Sequence, residues 1–195
     1  MHNEQLRQQG HPVQVRHVNS GGAAEFTSMM TVARSDVDSA TTSAVRTALE
    51  QNDIAQATQL VQRAQHIPQL TPEQQGLVAD KLRRSVPEPQ VTPGMQQAVV
   101  SGDASFYHIY LFDCCDEDGD IVEVMLDGVP FAVVPITNSG ATLSVPIVNG
   151  ASTTISLRGV HDGIGGITVA CRTSQGDFFL SCMLEGEVQV VGVTP

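Results

Sequence analysis

Apolar positions along this chain follow two different periods, and the change comes near residue 105. Between residues 35 and 85 they recur every three to four positions, the spacing of a helix buried on one face. Val37, Ala40, Ala44, Val45, Ala48 and Leu49 make one stripe, and Ile54, Ala57, Leu60, Val61 and Ala64 make a second. "QND" separates the two, and Asp53 is placed to cap the second helix. Thr71, Pro72 and Gln74 predict a third start: Thr71 and Gln74 form a capping box, and Pro72 suits the first helical position. Leu77, Val78 and Leu82 are the expected buried side of that helix. From residue 105 the helical spacing is lost, and short β-rich runs alternate with turn residues. Strands are expected near 106–113, 121–126, 129–134, 141–147, 152–157, 166–173, 178–184 and 187–193. Asp127-Gly128 is a hairpin turn matched to strand twist.

These periods divide the chain into a polar N-terminal arm at 1–34, a helical hairpin or three-helix unit at 35–85, a proline-bearing linker at 86–104 and a β-sandwich at 105–195. Within the arm, Val13 to Val18 alternate in the manner of a short strand before "SGGAA" breaks the pattern. Pro87, Pro89 and Pro93 favour extended backbone and stop helices. The fold class is α+β by segregated domains, with strand number and spacing that suit an antiparallel, immunoglobulin-like sandwich. "DEDGDIVEVMLDGVPFAVV" resembles the opening of small bacterial immunoglobulin-like modules, through Gly119, Asp120, Val122, Val124, Leu126 and Gly128. That resemblance implies a spacer or adhesive unit within a larger surface protein. The helical hairpin resembles a single tetratricopeptide-type repeat, through Ala48, Leu49, Ala55, Ala57, Leu60 and Ala64. Such arrays need about three repeats to stand alone, so generic antiparallel helix packing explains the same pattern.

Composition narrows the partners. Net charge is −11, Lys81 is the only lysine, and no basic stripe of the kind nucleic acid requires is present. An anionic membrane surface would repel the chain. No apolar run reaches the length of a membrane-spanning helix, and the polar N-terminus lacks the core of a secretory signal. Divalent cations and basic protein surfaces fit the charge. Aromatics are 4% and Trp is absent, so the core must be built from aliphatic residues, without the buried Trp of antibody domains.

The densest chemistry lies in "FDCCDEDGDIVEV". Asp113, Asp116, Asp118 and Asp120 offer the hard oxygen ligands that calcium prefers. An EF-hand is excluded: counted from Asp116, position six is Ile121 where Gly is needed, and position twelve is Asp127 rather than Glu. A looser inter-strand calcium site remains, beside the alternative of a solvated acidic turn that discourages edge pairing. The cysteines, Cys114, Cys115, Cys171 and Cys182, lack the paired spacing of structural zinc. If Gly176 and Asp177 form a hairpin tip, Cys171 and Cys182 face each other within disulfide reach. Bridges from Cys114 or Cys115 to Cys171 or Cys182, and four reduced thiols, are the alternatives. His161 and Asp162 in "VHDGIGG" belong to no known catalytic motif and read as part of a glycine-rich turn.

The sequence therefore points to a non-enzymatic structural or adhesive component of a larger assembly, on a bacterial surface or in a virion. It would self-associate, or dock on protein partners, through its arm and sandwich edges. A calcium-dependent carbohydrate- or protein-binding module is the second expectation, and an accessory domain of a hydrolase the third.

Overall fold

The computed structural model describes residues 28–82 and 92–195. The strand expected near 13–18, most of the arm and the first part of the proline-bearing segment lie outside the described residues. The chain is α+β: a helical N-terminal part precedes two β-sheets packed as a sandwich.

A short strand, β1 (Ser28–Thr31), and a 3-10 turn (Arg34–Asp36) lead into the helices. Helix α1 (Ser39–Glu50) starts where the Asp38 side chain accepts the Thr41 amide at 3.0 Å. Helix α2 (Ile54–Ala64) starts where Asp53 accepts the Gln56 amide at 2.9 Å, as the sequence predicts. Helix α3 (Pro72–Leu82) opens with the expected capping box, in which Thr71 and Gln74 bond each other's amides at 2.9 and 3.2 Å. The proline-bearing segment is not extended throughout. Helix α4 (Pro93–Ser101) lies inside it, capped by Thr92, with Pro93 at its first turn and Gly102 closing it. Proline at a first helical position opens a helix instead of stopping one.

The remaining strands are β2 (Ala104–Phe112), β3 (Ile121–Leu126), β4 (Val129–Pro135), β5 (Ala141–Val148), β6 (Thr153–His161), β7 (Ala170–Thr173), β8 (Gly176–Phe179) and β9 (Val188–Thr194). One sheet has the order β1-β9-β6-β3-β4 and the other β5-β2-β7-β8. Asp127 and Gly128 both take positive φ in the β3–β4 turn, as the Asp-Gly signal requires.

The two-sheet sandwich agrees with the sequence reading, but the strand pairing is not the immunoglobulin one. In that layout strands A, B, E and D share a sheet. Here only β3–β4 and β7–β8 are consecutive strands joined as hairpins; the other links from β2 onward cross between sheets. The antiparallel pairs β3·β4, β2·β5, β6·β9 and β7·β8 alternate between sheets. A long ribbon rolled on itself gives this pattern, the arrangement of double-sheet jelly rolls. Turn spacing reports how many strands exist, whereas pairing depends on contacts far apart in sequence.

The helices are not segregated from the sandwich. Val45 and Ala48 of α1, Ala57 and Val61 of α2 and Val99 of α4 join one hydrophobic core with Phe106, Ile109, Leu143 and Ile147. Phe106 points to the opposite face of β2 from Ile109 and Leu111, so the helices cover the outside of this sheet. Helix α3 packs elsewhere: Val78 meets Ile121, Val133 and Val160 on the other sheet. The α1–α2 hairpin and α3 therefore shelter different sheets and do not form one bundle. Helix α2 also closes the edge of β5. The Gln65 amide bonds the Ser144 N–H and C=O at 2.9 and 3.2 Å, and His66 bridges Thr142. Among the described residues no helix is long and apolar enough to cross a membrane.

Candidate metal centre

The β2–β3 loop runs from Asp113 to Asp120 at one end of the sandwich. Backbone bonds fix both of its ends: the Asp113 amide reaches the Thr137 carbonyl at 2.9 Å, and the Asp120 carbonyl accepts from Ile136 at 2.8 Å. Between them, Asp113, Asp118 and Asp120 converge, with one carboxylate oxygen of each within 4.8 Å of the others. Asp113 and Asp120 are buried and Asp118 is half-buried. Asp116 is exposed and lies outside the cluster. Of the four aspartates picked out by sequence, the fold gathers three.

A second loop, 162–168, holds these carboxylates in place. Asp120 accepts the Gly163 amide at 3.0 Å and the Thr168 amide at 2.9 Å, one on each oxygen. Asp118 Oδ2 accepts the Ile164 amide at 2.9 Å. Asp113 Oδ1 accepts the Thr168 hydroxyl at 3.0 Å and the Cys115 amide at 2.9 Å. Gly163 is required by proximity: a Cβ there would lie 2.2 Å from the Asp118 carbonyl oxygen and 2.7 Å from its Oδ1. Sequence reasoning read "HDGIGG" as a turn and missed that its amides face the acidic loop. The glycines were the available signal, since close backbone approach needs a residue without a side chain.

Two oxygens remain without a hydrogen-bond partner although both are buried, Asp113 Oδ2 and Asp118 Oδ1. No Lys, Arg or His ion pair reaches the three carboxylates among the described residues. Burial pushes Asp113 above the usual carboxylate range, and neighbouring acids add to it. Burial likewise raises Asp120 to about 6, helped by Asp118 and opposed by the Gly163 and Thr168 amides. The cluster is thus a set of hard oxygens whose negative charge no basic side chain among the described residues balances.

The thiols differ in place and state. Cys114 Sγ and Cys115 Sγ lie 3.3 Å apart and, with Asp113, form a second group of ligand-bearing side chains. Burial, then the Cys115 thiol, pushes Cys114 up to about 12, so without a metal it stays protonated at neutral pH. Cys171 is buried among core residues and burial alone raises it to about 12. The expected alignment of Cys171 with Cys182 does not occur. Ser174 and Gln175 form the β7–β8 tip instead of Gly176 and Asp177, so the register sets Cys171 opposite Phe178. Cys182 is exposed beyond β8, and none of the four cysteines is in a disulfide. His161 and Asp162 face different partners: the imidazole meets Glu185 at 3.2 Å, and the Asp162 carboxylate accepts the Gly166 amide at 2.9 Å.

The chain matches no protein-family model, no curated protein and no solved structure.

Proposed function

We propose that this chain is a non-enzymatic structural or adhesive component of a larger assembly, on a bacterial surface or in a virion, that associates through a sheet edge. The terminal place of β4 in its sheet carries this reading. Among the described residues no strand pairs with β4 on its far side, whereas the β5 edge is closed by Gln65 and His66. Pro130 and Pro135 limit pairing to the residues between them, Phe131 to Val134. Phe131 to Val134 are each at most 4% exposed, so one extended strand from a neighbouring copy or partner would add here by displacing what covers this edge. The strand pairing differs from that of immunoglobulin-like modules, so the spacer role that resemblance implied adds no support. A rolled sandwich is a layout that serves capsid and lectin domains, although a fold by itself does not fix a function. Sedimentation over a wide range of concentration, with hydrogen exchange, tests the proposal. Self-association that slows exchange in β4 is expected; a monomer at every concentration with fast β4 exchange and no partner would overturn it.

A calcium-dependent binding module is the second reading, favoured by the convergence of Asp113, Asp118 and Asp120 beside an apolar tip. Ile164 is 82% exposed, and its amide is held by Asp118. A cation ordering this loop would set the position of Ile164 for a carbohydrate or protein ligand.

A further inference from the structure

We infer that Asp113, Asp118 and Asp120 form a divalent-cation site, suited to calcium, that ties the 113–120 loop to the 162–168 loop. Acidic residues often cluster on a surface without any ligand, so proximity alone decides nothing. The distinguishing observation is at Asp113. This side chain is 3% exposed and belongs to the converging group, yet its Oδ2 has no hydrogen-bond partner. Asp118 Oδ1, a buried atom on a half-buried side chain, also has no donor, and the Asp118 and Asp120 carboxyls interact directly. A buried anionic oxygen left unpaired is costly, and native proteins rarely keep one without an ion, a water or a functional reason. One cation between the three carboxylates would satisfy both oxygens at once.

Hydrogen bonding supports the same conclusion. Backbone amides and the Thr168 hydroxyl occupy Asp113 Oδ1, Asp118 Oδ2 and both Asp120 oxygens, which fixes the three side chains from outside. Such outer contacts are what orient first ligands in metal sites. The donors are all carboxylate oxygens, the preference of calcium and magnesium rather than zinc. Calcium fits better, because it accepts irregular loop ligands, while magnesium demands near-ideal octahedral geometry and retains most of its water. Water would complete the shell. A cation here belongs to the calcium-dependent reading; association through β4 does not require it.

Thermal melting of the intact chain with calcium chloride and with chelator tests the site. Calcium at about 100-fold over its dissociation constant should raise Tm by roughly 5–10 °C. Asp118→Asn should abolish the rise, and Asp116→Asn, outside the cluster, should keep it. No rise in the wild-type chain at millimolar calcium would overturn the site whether or not the variants fold. An equal rise with magnesium would overturn the choice of calcium. A rise lost in Asp116→Asn and retained in Asp118→Asn would overturn the assignment of residues. Sedimentation of the same samples separates this outcome from self-association, which either result leaves free to occur.

Discussion

Buried aspartates occur at two places in this molecule, and they are in opposite states. In the seam between the helices and the sheet, Asp36 and Asp38 are each surrounded by donors. Asp36 accepts the Ala33 and Ser174 amides, both at 2.7 Å, and the Ser174 hydroxyl at 2.8 Å. Asp38 caps α1 through Thr41, accepts the Ser144 hydroxyl at 3.2 Å and lies 3.5 Å from the His108 ring. Burial pushes Asp38 upward, but the Thr41 bonds, His108 and Ser144 together outweigh it and leave the carboxyl below its ordinary range. At the loop end Asp113 and Asp120 are as deeply buried, but their neighbours are other acids and both are raised. Burial is common to both places, so it does not mark a site. What separates them is the charge alongside: His108 stands beside Asp38, whereas Asp118 stands beside both Asp113 and Asp120.

The largest test is at the seam. Asp36→Ala removes three bonds to one charged group and leaves the Ser174 amide unpaired, and should cost about 3 kcal/mol in chemical denaturation. A loss below about 1 kcal/mol would show that the 3-10 turn is not held to the β7–β8 tip by this carboxylate.

A matched pair of substitutions follows, with opposite signs. Asp38→Asn keeps the cap but discards a favoured charge, and should destabilise by about 1 kcal/mol. Asp113→Asn, measured in chelator, relieves acid–acid repulsion in a buried place and should stabilise by about 1 kcal/mol. Equal signs in denaturation would erase the distinction between the two places.

The smallest effect is expected at Glu185, an exposed acid near the same loop end. The Lys81 hydrogen bond, then the Asp162 amide, hold it down at about 2. Its folded value is below its unfolded one, so its contribution is present above about pH 4.5 and is lost as pH falls toward 2. Glu185→Gln should lower Tm slightly at pH 7, where the contribution is present, and leave it unchanged near pH 2, so the fall over that window flattens. An unchanged acid limb would show that solvent screens the contact completely.

Features that depend on neighbours in sequence were legible before the fold was known. Asp53, the Thr71–Gln74 box and the Asp127-Gly128 turn act within four residues, and each does what its type predicts. Helix α4 carried the same signals in Thr92 and Pro93, obscured by reading the nearby prolines together as a linker. Pairing was not legible. Strand β1 lies parallel to β9 across most of the chain, and the β7–β8 register turned on which two residues form the tip. The site was half legible. Acid density named the loop, but the choice of Asp113, Asp118 and Asp120 over Asp116 depends on Gly163, Ile164 and Thr168, more than forty positions away. No local pattern encodes that contact.

The most direct measurement is calorimetric titration of calcium into the intact, metal-stripped chain at neutral pH. Saturable binding of one calcium per chain, lost in Asp118→Asn and kept in Asp116→Asn, is the predicted result. No saturable heat up to millimolar calcium, together with a melting temperature that calcium does not move, would contradict it and leave the acidic loop as a solvated turn.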